Sequence, residues 1–199
     1  MGSKKVSQAQ HPKGRAGRIF GWLMGRMNRP AYVWTIEQLR AVKPKSYLEV
    51  GFGTGHLEQL VAEELKPEKL AGVDPSPLMV ETATKRLRRY RDIKIELAQG
   101  DDAHLPKDGP YDAIAALHSF QFWPKPAETL TDIRSLLAPG GKFVMVLRLH
   151  GRRKRLPNPL SRGRGEVSAA CRALQDAGFT ILAMRGISKK SHGIVAGPG

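Results

Sequence analysis

Apolar residues recur along this chain with two different periods. Short apolar runs around Tyr47-Leu48-Glu49-Val50, Leu70-Ala71-Gly72-Val73, 93–98, 111–117 and 142–149 predict strands. Between them, apolar positions fall three or four residues apart, as on one face of a helix. Leu57, Leu60, Val61 and Leu65 predict a helix over 56–65, and Leu130, Ile133 and Leu137 predict one over 127–137. Met79, Val80, Ala83 and Leu87 give the apolar face of another, and Ser76-Pro77 reads as its start, a capping hydroxyl followed by proline. A helical stretch over 19–41 is expected to be interrupted near Arg29-Pro30, and Pro139-Gly140-Gly141 reads as a turn. A last helix over 166–177 is stopped by Gly178. The strands 179–184 and 192–196 lie too close in sequence for a crossover, so they are expected to pair antiparallel.

Strands alternating with helices imply an α/β fold with a mostly parallel sheet. The chain divides into a polar, basic tail over 1–17 that is expected to be disordered, a helical segment over 18–44, and an α/β domain over 45–199. Its 199 residues suit one such domain. A single cysteine, Cys171, rules out an internal disulfide framework and a multi-cysteine metal site; no metal site is expected. No apolar run is long enough for a transmembrane helix. A cytoplasmic, reducing setting is the default expectation.

The net charge of +15 is concentrated in two places. Seven basic side chains and no acid lie between Met1 and Ile36, and seven more and no acid lie between Arg148 and Gly165. The remainder is close to neutral. The stretches 1–29 and 148–164 read either as a footprint for RNA or an anionic surface, or as solvated segments that keep the protein soluble. The acid-free tail also reads as an organelle-targeting segment.

Candidate chemistry centres on Glu49-Val50-Gly51-Phe52-Gly53-Thr54-Gly55, between a strand and a helix. Glycines there permit a tight turn and close backbone approach to a ligand, and the helix start adds free N–H groups. The dinucleotide fingerprint needs glycine at position 56, which is His56, and a Gly-Lys-Ser/Thr phosphate loop is absent. What remains is Glu49 ahead of the glycines, Asp74 at the end of the next strand, and Asp101-Asp102 after the third. Carboxylates at these places suit ribose hydroxyls and an adenine amine, and Glu49 suits a cationic ligand.

This set resembles the class I S-adenosylmethionine-dependent methyltransferases. Five segments match in order over about 45–150. Residues 47–55 look like the glycine motif. Gly72-Val73-Asp74-Pro75-Ser76-Pro77-Leu78-Met79 looks like the ribose-binding segment, and Gly100-Asp101-Asp102-Ala103-His104-Leu105-Pro106 like the adenine-side segment. Residues 111–118 look like the fourth-strand motif, and 136–142 like the turn before strand five. The nearest variety is the compact type similar to ubiquinone and menaquinone C-methyltransferases. The resemblance implies a Rossmann-like three-layer sandwich whose seven-stranded sheet has an antiparallel last strand. It implies S-adenosyl-L-methionine as cofactor, held by Glu49, Gly51, Phe52, Gly53, Gly55, Asp74, Pro75, Asp101, Asp102, Ala103 and Leu117. Of the two adjacent acids, Asp101 is favoured on the adenine side.

His118 leaves the fourth strand at the edge where ligands bind and is the candidate catalytic residue, as base or orienting donor; a merely packed histidine is the alternative. Phe120, Phe122 and Trp123 are expected to pack beneath the acceptor, and Tyr32 and Trp34 are placed to close the pocket. Position 118–121 lacks the Asn/Asp-Pro-Pro-Tyr of base-amine methyltransferases and the cysteine of cytosine C5 chemistry, and the paired glutamates of arginine methyltransferases are missing. A small-molecule or lipid-like acceptor is therefore expected first, structured RNA second, and a cofactor-binding module without catalysis third.

Overall fold

The computed structural model describes residues 28–150, 156–161 and 165–199. The tail expected over 1–17, the first part of the 19–41 helix, and all the basic side chains of the two charged stretches except Arg29 and Arg148 lie outside the described residues.

Seven strands form one sheet: β1 (Ser46–Val50), β2 (Lys69–Asp74), β3 (Lys94–Gln99), β4 (Tyr111–Leu117), β5 (Leu137–Arg148), β6 (Phe179–Ser188) and β7 (Ser191–Pro198). Their spatial order is β3-β2-β1-β4-β5-β7-β6. Strands β1 to β5 pair in parallel, and β7 runs antiparallel between β5 and β6. The sequence order reverses between β1 and β4, which in such sheets opens a ligand crevice at the carboxyl ends of those strands.

Side chains alternate between the two faces of the sheet. Tyr47, Ala113, Ala115, Leu117, Val144 and Val146 meet α1 (Arg29–Arg40), α2 (His56–Glu64) and α3 (Pro77–Leu87) through Ile36, Leu39, Leu57, Val61 and Leu87. Leu48, Ile114, Ala116, Phe143 and Met145 meet α4 (Pro126–Leu136) and α5 (Glu166–Asp176) through Leu130, Ile133, Ala170 and Leu174. Central strands buried on both faces are the reason their sequences read as continuous apolar runs.

The described helix begins at Arg29-Pro30, where the interruption is expected, with Pro30 in the first turn, where a missing N–H costs nothing; the stretch 19–27 lies outside the described residues. Two other local expectations are corrected. Leu137 leaves the helix and starts β5 opposite Tyr111. The Pro139-Gly140-Gly141 segment then becomes an irregularity inside that strand, where the register shifts between Tyr111 and Ala113. The Ser76 hydroxyl makes no capping bond; its backbone N–H is taken instead by Asp74 Oδ1 at 2.9 Å.

Trp34 of α1 is buried flat against β7. A Cβ placed on Gly193 would lie 2.4 Å from the Trp34 ring. Overpacking of this kind costs about 1–3 kcal/mol, so Gly193→Ala is expected to lower the unfolding free energy by about that amount in urea denaturation, whereas the same change at the open Gly140 would act through its backbone angle alone.

Candidate active site

The chain leaves β1 through three glycines with left-handed backbone, Gly51, Gly53 and Gly55 at φ +84°, +58° and +75°. At Gly51 and Gly55 a side chain is also excluded by packing: a Cβ would lie 2.7 Å from Ser119 Cβ or 2.8 Å from Ala83 Cβ. Gly53 differs, because a Cβ there would meet nothing within 4 Å. The turn therefore presents a bare backbone edge to open space at its middle glycine.

Asp74, at the end of β2, fastens this turn. Its Oδ2 accepts the Gly53 N–H at 2.8 Å while Oδ1 accepts the Ser76 N–H. Arg86 of α3 holds the other side, donating from Nε to the Thr54 carbonyl at 2.8 Å and from Nη1 to Gln59 Oε1 at 2.9 Å. Its guanidinium also lies 3.2 Å from both His56 ring nitrogens. Tyr32 of α1 stacks on His56 with ring centroids 6.3 Å apart, so it does reach the rim of the turn, as its position suggested. Trp34 does not: it lies on β7, beyond β4 and β5 from the glycines.

Behind the turn is a buried acid pair. Glu49 is 2% exposed and accepts the Tyr47 hydroxyl at 3.1 Å; Glu58, in the first turn of α2, is fully buried and faces it. Burial and the nearby Asp74 push the Glu49 carboxyl up to about 8, against hydrogen bonds from Tyr47 and Glu58 that lower it. Burial and the Glu49 charge raise Glu58 well above the usual carboxylate range. Two carboxyls in one low-dielectric space cannot both ionise cheaply, so they retain a proton between them.

The other predicted residues divide by exposure. Phe52 is turned into the core with Met79 and Ala83, its ring against Gly72, so its backbone is what faces the turn. Asp101 is exposed and its Oδ1 binds the Ala103 N–H and the His104 ring. Asp102 is buried, accepting the Thr129 hydroxyl at 2.8 Å, which ties the 100–106 loop to α4. Pro75 is partly exposed beside Asp74, and Leu117 is nearly buried where β4 ends.

His118 follows Leu117 with φ +54°, a left-handed conformation uncommon for a residue other than glycine. It is 8% exposed, its Nε2 is 3.1 Å from Ser191 Oγ, and its Nδ1 is buried without a partner among the described residues. Burial, and then the charges of Arg148 and His150, lower its pKa to about 4. Ser119 donates to the Val50 carbonyl at 2.7 Å, joining the ends of β1 and β4. Phe120 and Trp123 are buried core residues in edge contact, whereas Phe122 is partly exposed. Asn158, also fully buried, pins the 156–161 segment to it by donating to the Phe120 carbonyl at 2.7 Å.

A parallel sheet of this order, with an acid-held glycine turn at the first strand, defines a Rossmann-like methyltransferase architecture. A family profile described as a methyltransferase domain matches residues 48–143. An uncharacterized methyltransferase, YdaC, of Bacillus subtilis is 31% identical over 130 residues, covering 65% of this chain and 70% of that protein. A malonyl-[acyl-carrier protein] O-methyltransferase of Halalkalibacterium halodurans is 32% identical over 103 residues, 50% of this chain and 37% of its own length. A demethylmenaquinone methyltransferase of Thermus thermophilus is 29% identical over 104 residues, 52% of this chain and 47% of its own length. The chain thus spans less than half of these last two relatives. The crystal structure of an S-adenosylmethionine-dependent methyltransferase from Clostridium acetobutylicum superposes with a TM-score of 0.69 at 15% identity, over 86% of this chain and 92% of that one. The chain belongs to the methyltransferase family, and its fold is the Rossmann-like one of that crystal structure.

Sequence reasoning missed Glu58, Arg86 and Asn158. Nothing in their local pattern marks them, apart from a carboxylate on the buried face of α2.

The acid pair has a testable consequence. Between its ordinary value near 4.5 and about 8, folded Glu49 keeps a proton that the unfolded chain releases. Its contribution to stability is therefore full below about 4.5 and lost as pH rises through 8. Urea denaturation at pH 6 and pH 8.5 is expected to show this fall, and the double change Glu49→Gln and Glu58→Gln should flatten it.

Proposed function

We propose that this chain transfers a methyl group from S-adenosylmethionine to a small-molecule acceptor. The observation that carries the reading is the open backbone edge at Gly53, flanked by the Asp74 carboxylate and backed by the buried Glu49–Glu58 pair.

The residues fit the cofactor in kind. Gly51, Gly53 and Gly55 would let its chain approach the backbone; Asp74 would accept ribose hydroxyls; Asp101, Asp102 and Ala103 would border the adenine. Glu49 and Glu58 would place negative charge near its ammonium and sulfonium end. Bound, the cofactor supplies an electrophilic methyl group on a positively charged sulfur. The protein then has to align the acceptor and keep water out.

His118 serves this as an orienting group. With a pKa near 4 it is neutral at pH 7 and too weak a base to draw a proton from most acceptors. A fixed neutral imidazole, locked through Ser191, can instead hold an acceptor in register. The names of two relatives, which act on menaquinone precursors and on a malonyl group carried by protein, support a non-nucleic-acid acceptor for this chain as well.

Calorimetry is expected to show S-adenosylmethionine binding, with Asp74→Asn raising Kd about 10- to 100-fold, the worth of one or two hydrogen bonds to a charged group. Labelled methyl from the cofactor should enter the small-metabolite fraction of a cell extract; label found in RNA instead would overturn the acceptor assignment. His118→Gln should lower turnover about 10- to 100-fold through misalignment while leaving the shape of the pH–rate profile between 6 and 8 unchanged, and a lost inflection there would restore the base role.

A further inference from the structure

Beside His118, at the carboxyl ends of β4 and β5, lies a second feature that methyl-donor binding does not use. Arg148 closes β5 directly opposite Ser191 of β7. The Ser191 hydroxyl engages His118 Nε2, so Ser191 faces Arg148 across the strand pair and touches His118 with its side chain. One arm of the Arg148 guanidinium is anchored, donating from Nη2 to Asn28 Oδ1 at 3.3 Å. Its Nε is buried and unpartnered among the described residues, and so is His118 Nδ1. No carboxylate forms an ion pair with Arg148 among the described residues.

This is an unusual arrangement. Arg148 is half-buried, and the Nε it leaves without a partner is its buried part, where donors are ordinarily met. Burial alone lowers the Arg148 pKa, with no opposite charge acting to restore it. Two unmet nitrogens, one on a cation, occur together on the strand ends where acceptors reach the cofactor in a sheet of this order. The backbone at His118 is left-handed, and its ring meets Ser191, the strand partner of Arg148. A planar guanidinium with a free Nε edge is shaped to receive a carboxylate through paired N–H bonds.

We propose that Arg148 and His118 form an oxyanion pocket that docks the carboxylate of an acidic acceptor, with Ser191 and Asn28 as positioning residues. The proposal rests on the methyltransferase reading for the identity of the occupant as acceptor. Arg148 supplies the charge and the fork, and neutral His118 adds one further hydrogen bond through its Nδ1 edge when that nitrogen carries the proton. The acid-lined donor end at β1 and β2 and this basic end at β4 and β5 then sort a cationic cofactor from an anionic acceptor.

The test uses benzoate and benzamide, matched in shape and differing in charge, titrated calorimetrically into the full chain saturated with S-adenosylhomocysteine. Benzoate is expected to bind at least about tenfold more tightly than benzamide, the worth of a charge-assisted pair. Arg148→Gln should erase that difference while leaving S-adenosylhomocysteine affinity intact, and Arg148→Lys should retain part of it. Equal binding of the two probes by the wild-type chain, or binding of neither, overturns the proposal, and this comparison needs no variant to fold. A benzoate preference that survives Arg148→Gln overturns it too. Failure of S-adenosylhomocysteine to bind at all would instead sink the methyltransferase reading, and the same two probes added to the cofactor-free chain would still report on the pocket.

Discussion

The Gly53 amide meets the Asp74 carboxylate at 2.8 Å, and the geometry of the whole ligand edge follows from that contact. One carboxylate satisfies backbone donors from two successive strand–helix junctions, the glycine turn after β1 and the start of α3 after β2. Such charge-assisted bonds are worth about 1.5–3 kcal/mol each, enough to hold a left-handed turn in one conformation. Arg86 completes the clamp from the side of α3 by holding the Thr54 carbonyl. The two junctions are therefore tied into one rim, and the edge at Gly53 faces open space, with nothing within 4 Å of where a Cβ would sit.

The rim is electrostatically divided. Glu49, Glu58 and Asp74 gather at the ends of β1 and β2, and their mutual repulsion in a dry interior raises Glu49 and Glu58. His118, Arg148 and His150 gather at the ends of β4 and β5, where repulsion and burial lower His118. The Ser119 hydroxyl, donating to the Val50 carbonyl, bridges the two halves beyond the end of the β1–β4 pairing. The carboxyl groups at β1 and β2 and the Arg148 guanidinium at the end of β5 lie on opposite sides of the strand-order reversal. On the reading proposed above, that separation favours a cationic methyl donor on one side and an acidic acceptor on the other.

Leu137 carries a local signal compatible with either side of a helix end, and its pairing with Tyr111 of β4 decided it. Asp101 and Asp102 are adjacent and chemically identical, yet one is exposed and the other bonded to Thr129 beneath the surface; the loop's docking on α4 makes that difference. Trp34 and Tyr32 sit two residues apart on α1, so they face different ways, and only Tyr32 reaches the glycine rim.

What the sequence determined by itself was everything with a short range: the alternation of strands and helices, the left-handed glycine turn, and the acids that close successive parallel strands. Turn chemistry and periodicity act over a few residues, so they are written locally. The tertiary structure alone decided which buried groups face one another. Glu49 meets Glu58 because α2 folds back over β1, and His118 meets Ser191 across 73 residues because β7 inserts antiparallel beside β5. Those meetings depend on strand register and on which face of a helix is covered, and burial then changes the charge each group can carry. No local run of residues encodes that.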